Sequence, residues 1–505
     1  MTINHQEQGL ASRIHPNTLR FYTLPTDASP TKAHPVDLLN SLRLDVLARV
    51  LYAKERIAGL PAGWGHYVYE NLMRSWTNDF TPPREVEPGR FTMADYHQQF
   101  TALISNMSAN RFADDISVIP TCEGTIVDGA HRLAAAIALG LDEVVTVELK
   151  GEPQVQDYKT LLQIGMNPAA VENMVLELMR LKKGSRIALL FPCTAHMHKQ
   201  AIQYLEKKLH VDYRYDMLIT FSGLKRLMDL CYGDHEWWEE VHAHRFAKRR
   251  FSGPHPLTIV CFQEDDKSVR PIKDKLRSLM DRGNDAIHTT DTHNETIAIA
   301  EVLLNEHGRD WLNIAQNTST PRFNMLFEEF RHCILSKQAT TRVCVDSGGV
   351  LAAYGLRDVT DLDYLEVGGK GSFNRDEEIN CHNGEYQNTG LIESALVDDP
   401  RNHFYYRGIK FVSINNVEAL KKSRGDAKDI EDLGRIYSLR SWSLHKFYIS
   451  VRIFRTALPT QLRRIYTALF SLVVAIAKKV IPIKYHPLAR NLYLRWHQWR
   501  NNNGQ

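Results

Sequence analysis

The sequence predicts a multidomain chain of mixed α/β and α+β class. Three observations carry this. Its 505 residues exceed one ordinary core at about 150 residues per domain, so about three domains are expected. An apolar content of 43% with 24% charged residues is that of a folded globular protein, not a disordered one. A pattern of short β-like runs followed by helical runs begins three times, in the regions 1–150, 151–320 and 321–435, and leaves a basic helical tail at 436–505.

Within the first region, apolar residues at helical spacing in VDLLNSLRLDVLARVLYAKERI and ADYHQQFTALISNM predict helices, separated by the loop FTPPREVEPGR. The runs ISVIPT and TIVDG read as strands, HRLAAAIALG as a helix and VVTVELK as a strand. Around Gly184 the pattern restarts with strand RIALLFP, helix HKQAIQYLEKKL, strand YDMLITF, a helix, and strand LTIVCF. A helix at 271–280, a polar loop and the helix NETIAIAEVLLN follow. Two βαβ-like halves of this kind predict a ferredoxin-like sheet with helices on one face. The third restart, after Pro321, reads as a helix, strand TRVCVDS, helix GVLAAYGL and strand DLDYLEV.

The seven cysteines, at 122, 193, 231, 261, 333, 344 and 381, are scattered without zinc spacing and read as reduced structural thiols. The opening MTINHQEQGLASRIHPNTLRF carries no apolar stretch behind a basic start, so a cytoplasmic location is expected. From Arg435 to Gln505 there are thirteen Lys or Arg and no Asp or Glu, which leaves the rest of the chain at a net −10. A basic tail on an acidic body points to a polyanionic partner surface. Between Arg463-Arg464 and Lys478-Lys479, the uncharged IYTALFSLVVAIA is shorter than the ~20 residues a span needs. With Trp442, Tyr493, Trp496 and Trp499 nearby, it reads either as an interfacial helix on anionic lipid, on the inner face of the membrane, or as a core helix.

The most informative motif is Val345-Asp-Ser-Gly-Gly-Val-Leu-Ala-Ala-Tyr-Gly-Leu-Arg-Asp-Val-Thr-Asp-Leu-Asp363. It places Gly348 and Gly349 at a strand-to-helix turn, and strand alternation puts Asp361 and Asp363 on one face, outside the core. Paired carboxylates suit Mg²⁺ bridging to a triphosphate, and the glycines let phosphate approach a helix N-terminus. The motif resembles the polymerase-beta-like nucleotidyltransferases, whose pattern is a Gly-Gly or Gly-Ser pair, a short helix and Asp-x-Asp. GIKFVSINNVEALKKSRGDAKDIEDLGRI, with Lys421, Lys422, Arg424 and the Lys428-Asp429 pair, is similar to the end of that family's minimal members. The resemblance implies Mg²⁺, with Asp361 and Asp363 as catalytic metal ligands, and a nucleotide held by Gly348, Gly349 and Lys428. IKFVSI carries no third carboxylate.

Residues 273–305 read KDKLRSLMDRGNDAIHTTDTHNETIAIAEVLLN: a basic helix, a polar loop, a His, two Thr, an Asp and an acid-led helix. This order, with the strands and helices upstream, resembles nucleoside diphosphate kinases. The resemblance implies His288 as the phosphate-accepting catalytic residue, Thr290 and Asp291 beside it, and ATP or another NTP as substrate. Lys273, Lys275 and Arg277 are positioned to neutralise phosphate. Phe191 stands where that family has a lysine, and Asn284 lies one residue farther from the histidine. The residue-level alternative is a polar loop histidine with Thr and Asp as helix caps.

In the first region, TIVDGAHRLAAA leaves a strand through Asp128 and Gly129 and enters a helix with His131 and Arg132 in its first turn. Backbone N–H groups, the helix dipole and Arg132 there suit phosphate. The element resembles the ParB/sulfiredoxin fold, which implies nucleotide-phosphate binding; Ala130 replaces the sulfiredoxin cysteine. A turn and cap alone is the alternative.

Together these motifs lead to the expectation of a phosphotransferase or nucleotidyltransferase. Its partners would be a nucleoside triphosphate, a small-molecule or glycan acceptor such as a surface-polysaccharide intermediate, and an anionic membrane through the tail. The rival expectation is a nucleotide-binding regulatory or toxin-antitoxin-like protein with degenerate catalytic domains. Without a recognition motif, nucleic acid is not an expected partner.

Overall fold

The computed structural model describes residues 9–79, 92–112, 117–233, 235–253, 255–369 and 371–439. It divides into two compact units, Met1–Gly425 and Asp426–Gln505. The first is mixed α/β and contains three sheets. The expected interfacial helix and aromatic residues of the tail, and the loop 80–90, lie outside the described residues.

The first sheet has the order β1-β4-β2-β3, from β1 (Thr31–Ala33), β2 (Ile119–Cys122), β3 (Thr125–Ile126) and β4 (Val144–Glu148). Only the β2–β4 pair is parallel. Helix Asp45–Ile57 buries Val46, Leu47, Val50 and Ala53 at helical spacing. The expected helix 36–57 is interrupted. A 3₁₀ turn covers Pro35–Leu38, and the Asn40 side chain then accepts the Leu42 N–H at 3.1 Å, which holds a turn in place of helix. The Arg43 guanidinium grips buried Asp45 at 2.8 Å, and Arg49 does the same from one turn on at 2.9 Å.

The second sheet has the order β6-β7-β5-β8 and is wholly antiparallel, from β5 (Ser185–Leu190), β6 (Val211–Met217), β7 (Leu257–Gln263) and β8 (Ile287–Thr289). Alternation divides its side chains between two layers. Ile187, Leu189, Ile259 and Cys261 join a core that runs continuously from Leu10 to Leu312. Ala188, Leu190, Val260 and Phe262 pack against Ile272, Leu276 and Met280 of helix Asp266–Met280. Helices therefore cover both faces, not one. β6 also lies earlier than the expected YDMLITF strand, because Thr220 accepts the Gly223 N–H and caps helix Phe221–Tyr232.

The third sheet has the order β11-β10-β9-β13-β12, from β9 (Val343–Val345), β10 (Leu362–Glu366), β11 (Ile379–Cys381), β12 (His403–Tyr406) and β13 (Ile409–Val412). The β10–β11 and β9–β13 pairs are parallel. Phe323 and Phe327 of helix Pro321–Ser336 pack on Phe411 and Tyr406. The second and third sheets are tied together within the unit. Arg180 reaches Glu301 at 2.8 Å and donates to the Tyr405 hydroxyl at 3.2 Å, while the Asn305 amide donates to the carbonyls of Pro400 and His403. Among the described residues, no helix is long and apolar enough to cross a membrane.

Candidate functional site

The Asp128–Arg132 element is a strand-to-helix turn, as its sequence implies. Gly129 adopts φ 80°, a conformation that favours glycine, and begins helix Ala130–Ala138 without a side-chain cap. Asp128 accepts from the Gly129 N–H at 2.6 Å and from the Thr18 hydroxyl at 3.2 Å. Arg132 donates to the Ser117 hydroxyl at 2.9 Å and lies 3.9 Å from Asp128. Burial pulls the Arg132 guanidinium below its ordinary range, and Asp128 opposes this only in part. His131 turns away from the helix end. Its Nε2 meets the Tyr69 hydroxyl at 2.9 Å, and its ring stands edge-on to Phe100. Arg132 and the uncapped N–H groups are thus the anion-directed features, and His131 belongs to an aromatic cluster.

His288 occupies the middle of β8 on the face carrying Leu189, and is 4% exposed. Its Nε2 lies 2.7 Å from Glu295 Oε1, and its Nδ1 lies 3.0 Å from the Tyr232 hydroxyl. Glu295 also accepts the Asp291 N–H at 2.7 Å. Burial is the largest influence on the Glu295 carboxyl and pushes it up, but the hydrogen bond and charge of His288 together with the backbone N–H groups of the helix start hold it below its usual range. Burial raises the Tyr232 phenol despite nearby Arg250. Arg250, 1% exposed, lies 4.8 Å from the Phe191 ring and 5.7 Å from that of Tyr232.

The other residues expected around His288 scatter. Thr290 is fully buried and ties strands together, accepting from Ile187 N at 3.0 Å and from the Thr296 hydroxyl at 2.8 Å. Asp291 is exposed and pairs with Lys273 at 3.3 Å. Lys275 is exposed and Arg277 pairs with Asp274 at 3.5 Å, both on the helix that packs against the opposite face of the sheet. They do not converge on the imidazole. Sheet alternation separates them from it, which corrects the expected basic surround.

In the third sheet, Gly348 and Gly349 begin helix Ser347–Ala353 and are buried. A Cβ on Gly349 would meet Val345 Cγ1 at 2.5 Å and Leu362 Cδ1 at 3.0 Å, so its missing side chain serves the packing of helix on strand. At Gly348 the nearest atoms belong to Val359 and to the Arg357 guanidinium, at 3.6 and 3.7 Å. Ser347 holds φ 47° between them and Asp346, a left-handed conformation costly to a residue with a Cβ.

Asp361 precedes β10, is partly exposed and accepts from the Thr360 hydroxyl. Asp363 is 7% exposed and sits 3.1 Å from His382 Nε2, so it lies in the core where the sequence placed it outside. Asp346 lies across from it, its N–H donating to the Asp363 carbonyl at 2.9 Å. Burial raises the Asp346 carboxyl although the Tyr386 hydroxyl donates to Oδ1, and Oδ2 is buried with no hydrogen-bond partner. Lys428 is exposed and belongs to the second compact unit.

Sequence reasoning missed Tyr232, Glu295, Arg250, Asp346, His382 and Tyr386 as neighbours of these groups. Glu295 was legible, as an acid in the first turn after a Thr cap. Asp346 stood beside the glycine pair, but only strand pairing brings it opposite Asp363.

Among the described residues, one group of three could offer metal ligands: His66 and Glu70 from helix Trp64–Thr77, and His97 from helix Met93–Asn110, with ligand atoms within 4.8 Å of one another. The arrangement fits a metal poorly. The two rings stack nearly parallel at 4.1 Å, so no ion lies in both ring planes, and both Nδ1 atoms are buried without the partner that orients a ligating histidine. Glu70 accepting from both Nε2 atoms, at 3.2 and 3.1 Å, accounts for the cluster.

Comparison of the chain with protein-family models, curated proteins and solved structures gives no match.

Proposed function

We propose that this chain is a nucleotide-dependent phosphotransferase or nucleotidyltransferase, with His288 as a phosphate-accepting nucleophile and Asp361 and Asp363 as the Mg²⁺–nucleotide element. One observation carries the reading: the 2.7 Å contact between His288 Nε2 and Glu295, with Nδ1 turned to Tyr232. An ionised carboxylate can only accept, so Glu295 fixes the proton on Nε2 and leaves the Nδ1 lone pair as the nucleophile. Tyr232 covers that lone pair, and its side chain must turn aside before phosphorus approaches. Nδ1 then attacks the γ-phosphorus, the bond to the bridging oxygen breaks, and the NDP leaves with the electron pair. Glu295 stabilises the positive charge that develops on the imidazole.

The strand order β6-β7-β5-β8, all antiparallel, supports a ferredoxin-like, kinase-like reading of residues 151–320. Arg250 beside Phe191 offers a cation close to where that family has lysine. At the third sheet we assign Asp361 and Asp363, with the unpartnered Asp346 oxygen, as hard-oxygen donors of the type that suits Mg²⁺, which when bound would neutralise triphosphate charge; their oxygens do not lie together as one group in this structure, so binding would have to draw them in. That set supports the nucleotidyltransferase-like reading of 321–435, and the Asp128–Arg132 turn supports a ParB/sulfiredoxin-like reading of 1–150. The acceptor we propose is a small metabolite or glycan intermediate, with the protein cytoplasmic and its basic tail on the inner membrane face.

A second reading, a nucleotide-binding regulatory or toxin-antitoxin-like protein with degenerate sites, is favoured by the closure of both His288 nitrogens at 4% exposure. Incubation with γ-labelled ATP and GTP, quenched in base, separates the two. The first expects acid-labile, base-stable label in the parent and none in His288→Asn. Absence of label from a folded, nucleotide-binding parent supports the second.

A further inference from the structure

A cavity of about 590 Å³ opens on the face of the second sheet opposite His288, between the Pro192–Met197 turn, helix His198–Lys208, β6 and residues Ser252, His255 and Pro256. We propose that it is a binding site for a small phosphorylated metabolite, and that His198, linked through Thr258 to Asp216, holds the proton that accompanies the bound anion. This site goes beyond the reading of His288 and lies on the other face of the sheet from it.

The cavity's size is that of a small-molecule site. Its rim offers two cations, Lys199, which is exposed, and Arg214, 3.4 Å from Glu206, with the exposed imidazoles of His196 and His255 as further hydrogen-bonding groups. The floor is built from buried polar groups. His198 is 6% and Thr258 1% exposed. His198 Nε2 lies 3.1 Å from the Phe191 carbonyl oxygen and Nδ1 lies 3.0 Å from Thr258 Oγ1, whose hydroxyl donates to Asp216.

The hydrogen-bond partners show which protonated form the site can accommodate. A carbonyl can only accept, and the Thr194 hydroxyl 3.3 Å from Nε2 donates its own hydrogen to the same Phe191 carbonyl at 2.9 Å, so Nε2 carries hydrogen. The single Thr258 hydrogen is given to Asp216, so Thr258 Oγ1 offers an acceptor to a second hydrogen placed on Nδ1. This geometry fits the imidazolium, tied to an acceptor at each end. Opposing it, burial pulls His198 below its ordinary range, against the Phe191 carbonyl and Asp216, and His196 and His255 add to the downward pull. The charged groups around the cavity are Lys199, Arg214, Glu206 and Asp216. A dianionic phosphate among them adds the negative charge that tips His198 toward the protonated form its partners accommodate. Binding is therefore expected to take up a proton above the His198 pKa and to tighten as pH falls.

Calorimetry of the full chain with pyrophosphate, glucose 6-phosphate and glucose, in buffers of differing ionisation enthalpy, tests this. The phosphorylated probes are expected to bind saturably with proton uptake at pH 7.5, and glucose is not. The double variant Lys199→Ala/Arg214→Ala should weaken binding by about tenfold or more, and His288→Asn should leave it unchanged. Asp216→Asn, an exposed change that spares the fold, should alter the proton uptake while binding persists. Absence of saturable binding by either phosphorylated probe would overturn the site, as would equal affinity in the double variant. Loss of binding in His288→Asn would assign the heat to the other face. Proton uptake unchanged in Asp216→Asn would remove the relay.

Discussion

Alanine at each of two adjacent glycines separates a packing role from a phosphate-binding one. At Gly349 the new methyl would stand 2.5 Å from Val345 Cγ1 and 3.0 Å from Leu362 Cδ1. Both neighbours belong to buried strands, and a β-branched valine has little rotamer freedom to yield. Overpacking of this kind costs about 1–3 kcal/mol, and alanine's better helix propensity returns up to about 1. A net loss of about 1–2 kcal/mol is expected for Gly349→Ala. At Gly348 the same methyl makes ordinary contacts at 3.6 and 3.7 Å, so Gly348→Ala should be neutral or stabilising by up to about 1 kcal/mol. If phosphate approaches the backbone beside Arg357, only the Gly348 variant loses Mg²⁺–NTP affinity out of proportion to stability. Urea unfolding and calorimetry on the two proteins read both quantities. A Gly349→Ala protein as stable as the parent would refute the packing argument. Unchanged affinity in Gly348→Ala would refute the cradle.

Three further outcomes are expected. Burial raises the Asp212 carboxyl to about 6, although Gln263 donates to it. An acid raised in the folded state ionises at a cost, so stability should fall as pH rises from about 4 to about 6, by about 1–3 kcal/mol. Asp212→Asn should abolish that fall, and unfolding curves of parent and variant across this range check it. Asp361→Asn should abolish Mg²⁺-dependent nucleotide binding in calorimetry without lowering stability, whereas Asp363→Asn should lower both, because it also breaks the pair with His382. Equal stability of the two variants would contradict the burial difference. Removing residues 441–505 should release the protein from anionic liposomes in a flotation assay at low salt. A full chain that ignores such liposomes removes the proposed membrane role.

Local chemistry was readable wherever a pattern has a short-range cause. The Gly129 turn, the Thr-capped start of helix His293–Leu303 and the β9–helix–β10 unit follow from glycine conformations, caps and alternation within a few residues. Long-range pairing was not readable. No local signal says that Asp346 lies opposite Asp363, that Tyr232 meets His288 across 56 residues, or that Lys275 and Arg277 face away from it. Strands β1, β8, β11 and β12 escaped notice because they are short and partly polar, and pairing rather than hydrophobic pattern defines them; the stretch around His288, read as a polar loop, is the buried strand β8. The helix expected over 36–57 failed for a local reason that periodicity hides, since Asn40 bonds the backbone ahead of it. His198 carried no motif at all, because its relay joins a helix start to two strands.

The most direct test of His288 as phosphate carrier is a phosphorus-31 NMR spectrum of the protein held in base after incubation with NTP and removal of nucleotide. With Glu295 holding the proton on Nε2, phosphate is expected on Nδ1, and the two phosphohistidine isomers give distinct resonances. A Glu295→Gln variant should lose most of the signal. Phosphorus on Nε2 would contradict the orientation that Glu295 imposes, and a parent that binds nucleotide yet shows no phosphoramidate resonance would contradict the nucleophile itself.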